Sequence, residues 1–228
     1  MLTLVTGGAR SGKSGFAEAY CSRLSDQGVY VATAQALDAE MQARIEHHRQ
    51  QRDSRQFAWK TLEEPLELAG LIEGLRNKMH LGPDSADQTD RHRARPVGVA
   101  AAGQERTANR QPPVGGGDKH PVILVDCLTL WLSNWLLQYE QDPDIEERVS
   151  EKLDQLAVGC SKFAGDSAKH LVLVTNEVGY GLVPEYKLGR HFRDLSGVMN
   201  QRFAHAADHV FLVTAGIPME LKSRRYDF

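Results

Sequence analysis

The sequence lacks the features that mark several large classes of protein. Its 228 residues contain only three cysteines, an odd number, and none stands in a CxxC pair or at zinc-site spacing. The longest apolar runs are four or five residues, against the roughly 20 needed to span a bilayer, and no basic leader opens the chain. We therefore expect reduced, mostly buried thiols, no membrane span and a cytoplasmic location.

Charge of one sign is also missing. The 27 Lys and Arg residues nearly balance 30 Asp and Glu residues, for a net charge of -3, so no global basic field favours nucleic acid or an anionic membrane. Apolar residues at 41% and charged residues at 25% are typical of a globular protein. Any anionic ligand must therefore be bound by a local site, and we expect no nucleic-acid partner.

Short apolar runs alternate with helical stretches along most of the chain. This alternation predicts βα units on a mostly parallel sheet, because each run is continuously apolar, as in strands covered on both faces. The predicted strands are 2–6, 29–33, 122–126, 171–176 and 210–214. Apolar stripes at helical spacing predict helices over 128–136, 145–163 and 188–199, with their apolar faces in the core.

Residues 76–120 break this pattern. The segment has four prolines, six glycines, no aromatic residue and no sustained periodicity, so we predict a disordered insertion in a single domain spanning 1–228. Its eight basic and five acidic residues give it a charge of +3. A solvated linker is the simpler interpretation, and contact with RNA or an acidic partner is the alternative.

A phosphate-binding loop follows the first predicted strand. The sequence G-x-x-x-x-G-K-[ST] is matched in full between a strand and a helical stretch, which is the context that gives the motif its meaning. Backbone N–H groups of such a loop surround the β-phosphate, the lysine reaches the β- and γ-phosphates, and the final hydroxyl ligates Mg²⁺. The matching residues are Gly7, Gly8, Ala9, Arg10, Ser11, Gly12, Lys13 and Ser14.

Asp126 ends the apolar run 122–125 and would lie at the same sheet edge as the loop. A carboxylate at this place is typical of a second Mg²⁺ partner, although apolar strands often end in Asp. The Asn-Lys-x-Asp element by which many GTPases read guanine is missing, so a switch GTPase is disfavoured. The loop and this strand together predict an α/β fold of the P-loop-containing nucleoside triphosphate hydrolase type.

A basic helix with two adjacent histidines is predicted after the second strand. Asp38 can cap it, His47 shares a face with Arg44, and His48 lies four residues from both Arg44 and Arg52. Dense positive charge in a chain with a triphosphate loop suggests contact with another part of the nucleotide. A solvated basic helix is the alternative, and composition alone makes neither imidazole a nucleophile.

Several separate motifs, in order, resemble one enzyme family. They are 6–14, 30–33, the helix from 38 to 49 with its His-His pair, 174–179, and 189–194 followed by 200–202. They resemble the bifunctional adenosylcobinamide kinase/adenosylcobinamide-phosphate guanylyltransferase family of cobalamin biosynthesis. The resemblance covers 1–75 and 121–222.

The resemblance implies two reactions. The chain would phosphorylate adenosylcobinamide with ATP or GTP, and would then transfer GMP from GTP through a histidine intermediate to give adenosylcobinamide-GDP. It implies His47 as the residue that carries GMP, and a homotrimer. The phosphate-loop motif and the strand end supply the other roles: Lys13 as the second catalytic residue, and Ser14 and Asp126 as Mg²⁺ ligands. The resemblance further places nucleotide contacts at Ala32, Thr33, Ala34, His48, Arg49, Gln50, Gln51, Glu63 and Asp126.

Four charged residues after the fourth predicted strand stay open between a substrate role and a salt-bridged structural role: Glu177, Arg190, Arg193 and Asp194. Two alternative functions also stay open. A monofunctional small-molecule P-loop kinase would bind triphosphate without forming a covalent nucleotide adduct. A regulatory or RNA-binding module would use the basic insertion and would bind RNA in a salt-sensitive way.

Overall fold

The computed structural model describes residues 1–35, 57–80 and 120–226, and between them the helical positions 39, 42, 43, 45, 46 and 50. The strands in this part of the chain are β1 Leu2–Thr6, β2 Gln27–Ala32, β3 Ala58–Glu63, β4 Val122–Asp126, β5 Leu171–Val174, β6 His209–Thr214 and β7 Ile217–Glu220. The longer helices are α1 Lys13–Leu24, α2 Leu68–His80, α3 Leu128–Gln138, α4 Ile145–Ser161 and α5 Lys187–Ala206. A 3₁₀ helix follows at Lys222–Arg224.

The seven strands form one sheet in the order β3-β2-β4-β5-β1-β6-β7. Strands β1 to β6 are parallel, and only the last strand, β7, runs antiparallel to its neighbour β6. The predicted α/β fold with a mostly parallel sheet is confirmed. Because the six parallel strands end at the same edge, the loops after β1, β2, β4 and β5 are gathered there.

Both faces of the central strands are buried, which explains their continuous apolar runs. In β5, Leu171 and Leu173 point into the core shared with helices α2 to α5, whereas Val172 and Val174 point into the core shared with α1. The same alternation holds in β4, whose first four residues are all fully buried. Burial on both faces leaves room for polar side chains mainly at the strand ends.

The predicted strands agree with the structure except at their ends. The strand predicted at 29–33 starts two residues earlier and ends one residue earlier, as Gln27–Ala32. The strand predicted at 171–176 stops at Val174. Strands β3 and β7 were not predicted, because both lie at sheet edges and most of their side chains are half-buried or exposed. An edge strand therefore lacks the continuous apolar run on which the predictions rested.

The predicted start of the insertion at residue 76 is wrong. Helix α2 continues to His80, and Met79 is buried in the core beside the other apolar side chains of this helix. Two glycines within α2 and a polar stretch near its end hide the helical stripe in the sequence. The remaining residues of the predicted insertion, 81–119, lie outside the described residues, and the chain is described again from His120.

The cysteine prediction is confirmed. Cys21, Cys127 and Cys160 are all free and buried. Burial raises the pKa of the Cys160 thiol well above its usual value. Among the residues that the structure describes, no helix is both long and apolar enough to cross a membrane.

A close contact between β2 and β3 generates a testable prediction. Gly28 pairs with Trp59, and a Cβ atom at Gly28 would lie 2.4 Å from the indole ring. We expect Gly28→Ala to lower the free energy of unfolding by about 1 to 3 kcal/mol, because the ring must move from its place beside Phe57. Chemical unfolding followed by circular dichroism measures this change.

The matched control is Gly74→Ala in α2, where a Cβ atom would meet no atom within 4 Å. Removing a helical glycine should leave stability unchanged or raise it by up to about 1 kcal/mol. Equal stabilities for the two variants would contradict the proposed contact.

Candidate phosphate-binding and transferase site

The glycine-rich loop leaves β1 at the carboxyl edge of the sheet and leads into α1. A Cβ atom at Gly7 would lie 2.4 Å from the carbonyl oxygen of Val213 in β6, so only glycine fits where the loop passes this strand. The turn between β6 and β7 also holds the loop, because the Gly216 N–H donates to the Ser11 carbonyl at 2.9 Å. The loop backbone is thus packed against the β6–β7 hairpin.

Lys13 is the first residue of α1 and is buried. Its Nζ donates to the Gly8 carbonyl across the loop at 3.0 Å, which places the ammonium over the concave side of the loop. Burial lowers the pKa of this ammonium, whereas Cys127 and Asp126 act in the opposite direction. The arrangement sets a cation where the β- and γ-phosphates of a nucleotide lie in loops of this sequence.

Asp126 reaches the same edge from β4, which is separated from β1 by β5. Its Oδ2 accepts a hydrogen bond from the Tyr30 hydroxyl at 3.1 Å. In the sheet register Ala32 stands between Asp126 on one side and Glu63 on the other. Three residues that the sequence analysis assigned to the nucleotide therefore lie side by side on adjacent strands.

Thr33 is fully buried and joins the ends of β2 and β4. Its hydroxyl donates to the Cys127 carbonyl at 2.8 Å and accepts from the Cys127 N–H at 2.9 Å. The Thr33 carbonyl accepts from Nδ2 of Asn134, which also donates to the Pro65 carbonyl, both at 2.9 Å. The Thr33 side chain thus holds the ends of β2 and β4 together.

Glu177 lies just beyond β5 and is bonded to the start of the phosphate loop. Its N–H donates to the Gly7 carbonyl at 3.1 Å. Its Oε1 accepts from the Thr6 hydroxyl at 2.7 Å and from Nδ2 of Asn200 at 3.0 Å. These partners are neutral groups, whereas the structural role predicted for Glu177 was a salt bridge.

Asn200 on α5 ties three consecutive residues of the β5 end. It donates to the Asn176 carbonyl and to Glu177, both at 3.0 Å, and its Oδ1 accepts from the buried Thr175 hydroxyl at 2.7 Å. The Asn176 side chain in turn donates to the Thr129 hydroxyl of α3 at 2.6 Å. A continuous polar network therefore links the ends of β1 and β5 to α3 and α5.

Cys127 lies between Asp126 and this network. Its Sγ is 3.1 Å from the Thr129 hydroxyl. Burial raises the pKa of the thiol to about 11, with Asp126 acting in the same direction, so the group is protonated near neutral pH. It is therefore a buried polarizable side chain rather than a thiolate nucleophile.

The remaining predicted site residues belong to α5 or to the helix predicted after β2. In the first turn of α5, Arg190 donates to the carbonyls of Pro184 and Glu185, which favours its loop-shaping role. Arg193 is half-buried and Asp194 is exposed on the next turn. Gln50 is helical and exposed, and it donates to Glu46 at 3.3 Å. His47, His48, Arg49 and Gln51 lie outside the described residues.

Several residues of the polar network were not predicted from the sequence. Asn176 had a usable signal, because it follows an apolar strand as Asp126 does. Asn134 and Thr129 had none, since each is one polar position on an apolar helix whose partners lie in distant segments. Only the packing of α3 against the strand ends reveals them.

Comparison with known sequences agrees with the site. The profile of the family described as cobinamide kinase / cobinamide phosphate guanyltransferase matches residues 3–81 and 85–221. The chain belongs to this family. The resemblance seen in the sequence covered 1–75 and 121–222. The profile also matches 76–81 and 85–120, which is most of the segment that was predicted to be an insertion. Family membership favours the enzyme over a regulatory or RNA-binding module.

Individual relatives match over nearly their whole length. The bifunctional adenosylcobalamin biosynthesis protein CobU of Escherichia coli (strain K12) is 36% identical over 97% of this chain and 100% of its own. The protein of the same name from Salmonella typhimurium is 37% identical over the same shares. The CobP protein of Pseudomonas aeruginosa is 34% identical over 97% of this chain and 98% of its own.

A prediction follows from the position of Asn200. Asn200→Ala leaves the buried Thr175 hydroxyl without its acceptor and removes a donor from Glu177. We expect the free energy of unfolding to fall by about 2 to 4 kcal/mol, the cost of one or two unsatisfied buried groups. Urea unfolding measures the change, and the exposed neighbour Gln201→Ala should stay within about 0.5 kcal/mol of the parent. A similar loss in both variants would refute this role.

Proposed function

We propose that this chain phosphorylates adenosylcobinamide with ATP or GTP and then transfers GMP from GTP to the phosphate, giving adenosylcobinamide-GDP. Family membership supports both activities. The observation that carries the proposal is the phosphate loop, in which Lys13 reaches back across the loop to Gly8 and is influenced electrostatically by Asp126. One nucleotide site of this kind would serve both reactions.

In the kinase step the loop binds the triphosphate. Backbone N–H groups of residues 7–14 and the Lys13 ammonium oppose the charge that develops as the γ-phosphoryl group leaves the β-phosphate. The acceptor is a hydroxyl of adenosylcobinamide, whose oxygen forms the new bond to the γ-phosphorus. Ala32, Ala34, Glu63 and the backbone near Thr33 are the proposed contacts to the rest of the nucleotide, since the strand ends bring them to the same edge.

The residues present fit a magnesium ion bound together with a nucleotide. No three His, Cys, Asp or Glu side chains cluster as a metal cage within the described ranges. Mg²⁺ in nucleotide sites, however, needs only one or two protein oxygens beside phosphate and water. The Ser14 hydroxyl and the Asp126 carboxylate are such groups. When bound, Mg²⁺ would neutralise charge on the phosphate oxygens.

In the guanylyl transfer His47 is the proposed nucleophile. Its imidazole nitrogen attacks the α-phosphorus of GTP, the bond to pyrophosphate breaks, and GMP stays on the histidine as a phosphoramidate. A phosphate oxygen of adenosylcobinamide phosphate then attacks the same phosphorus and breaks the P–N bond. His48, Arg49, Gln50 and Gln51 are proposed to hold the nucleotide beside His47, by resemblance to the family.

The proposal also includes a homotrimer in the cytoplasm, both by resemblance to the family. Three free, buried thiols are consistent with a reducing compartment. Sedimentation equilibrium of the purified chain measures the number of subunits.

Lys13→Ala tests the shared nucleotide site. We expect both kinase and guanylyl transfer rates to fall by about 10²-fold or more, because this ammonium acts on charge that develops during transfer. Steady-state assays of each step measure the loss, and circular dichroism checks the fold. A wild-type rate of guanylyl transfer would mean that a second nucleotide site exists.

His47→Ala tests the covalent step and separates this enzyme from a monofunctional kinase. With α-labelled GTP and Mg²⁺, the parent protein should retain acid-labile, alkali-stable label after denaturation, and His47→Ala should not. Kinase activity should survive at least in part, because that step needs no histidine nucleophile. The neighbouring control His48→Ala should still be labelled. Label retained in His47→Ala, with peptide mapping to another residue, would refute the assignment.

A further inference from the structure

We infer that Glu177 is the general base of the kinase step, accepting the proton from the acceptor hydroxyl as its oxygen attacks the γ-phosphorus. This inference rests on the proposed function and assigns a residue to the proton transfer of its kinase step. Four described carboxylates end parallel strands or lie just beyond them at this sheet edge. Glu64 accepts from the Leu66 and Glu67 N–H groups of its own turn, which leaves Glu63, Asp126 and Glu177. Their positions relative to the phosphate loop differ.

Glu177 is the one of these three that is bonded to the loop itself. Its strand β5 lies directly beside β1, whereas β4 and then β2 and β3 lie farther away. The Glu177 N–H donates to Gly7 at 3.1 Å, and its side chain accepts from Thr6, the residue before the loop. Asp126 has an Mg²⁺ role in the proposal, and Glu63 lies on the far edge strand.

The hydrogen bonds of Glu177 orient its carboxylate for this role. Thr6 and Asn200 both donate to Oε1, at 2.7 and 3.0 Å. A carboxylate oxygen that accepts from two donors is held in one position. The proposed proton acceptor is the second oxygen, Oε2.

The chain after Glu177 exposes large apolar side chains. Tyr180, Leu182 and Val183 follow within six residues, and their exposed fractions are 89%, 96% and 62%. The second half of this segment is held to α5 by the Arg190 bonds to the Pro184 and Glu185 carbonyls. A large, partly apolar corrinoid would therefore meet apolar surface next to Glu177.

One bond forms and one bond breaks in the kinase step. The hydroxyl oxygen of the acceptor forms a bond to the γ-phosphorus, the bond from that phosphorus to the β,γ-bridging oxygen breaks, and the nucleoside diphosphate leaves. The hydroxyl proton passes to Oε2 of Glu177 and is later released to water. A base in this position contributes about 10²- to 10⁴-fold to the rate of such transfers.

Glu177→Gln is the decisive variant, because its amide oxygen can still accept from Thr6 and Asn200 but cannot take the proton. We expect the kinase rate to fall by about 10²- to 10⁴-fold. Label from α-labelled GTP should still appear on the protein at the parent rate. Guanylyl transfer to supplied adenosylcobinamide phosphate should also be unchanged, since this acceptor oxygen has no proton to lose.

Thr6→Val is the matched control for a purely structural role. It removes the hydroxyl that donates to Oε1 but keeps the carboxylate and the Asn200 bond, so the kinase rate should fall clearly less than in Glu177→Gln. Thermal unfolding and nucleotide affinity of both variants check the fold and the loop.

Two results would overturn the inference. One is a parent-like kinase rate in Glu177→Gln. The other is an equal loss of kinase and adduct formation in Glu177→Gln, which would mean that Glu177 only supports the phosphate loop. Failure of the parent protein to phosphorylate adenosylcobinamide would instead refute the proposed function, so the two failures are distinguishable.

Discussion

Burial of both faces of the parallel sheet is the constraint on which the rest of this structure depends. Strands β4 and β5 consist almost wholly of fully buried apolar residues, so they offer no place for a charged side chain along their length. Polar chemistry is therefore confined to the strand ends. Because six strands are parallel, those ends lie at one edge, where Asp126, Glu177 and the phosphate loop meet.

The hydrogen-bond network at this edge connects the strand ends to one another. Thr33 joins β2 to β4, and Asn200 joins α5 to the residues after β5. Through Thr6 and Gly7 the same network reaches the phosphate loop. A group that moves a proton or a phosphoryl group must be held within fractions of an ångström, and buried hydrogen bonds of this kind provide that rigidity.

The correct predictions are those that rest on a strong local sequence pattern. The strands at 2–6 and 122–126 agree with the structure residue for residue, because continuous apolar runs with polar ends are typical of buried parallel strands. Strand β3 and helix α2 were missed, since exposed edge residues and helical glycines weaken the periodic pattern. Lys13 and Asp126 were predicted from motifs, whereas Thr129 and Asn134 have no motif.

The sequence by itself determined the fold class, the phosphate loop and the family, because these depend on residues close together in the chain. The tertiary structure decided which strand ends become neighbours. Only the order β4-β5-β1 places Glu177 between Asp126 and the loop, and only the packing of α5 brings Asn200 to it. Such contacts join residues 23 to 171 positions apart, and they form because burying the apolar faces of the sheet and helices is favourable for the whole chain at once.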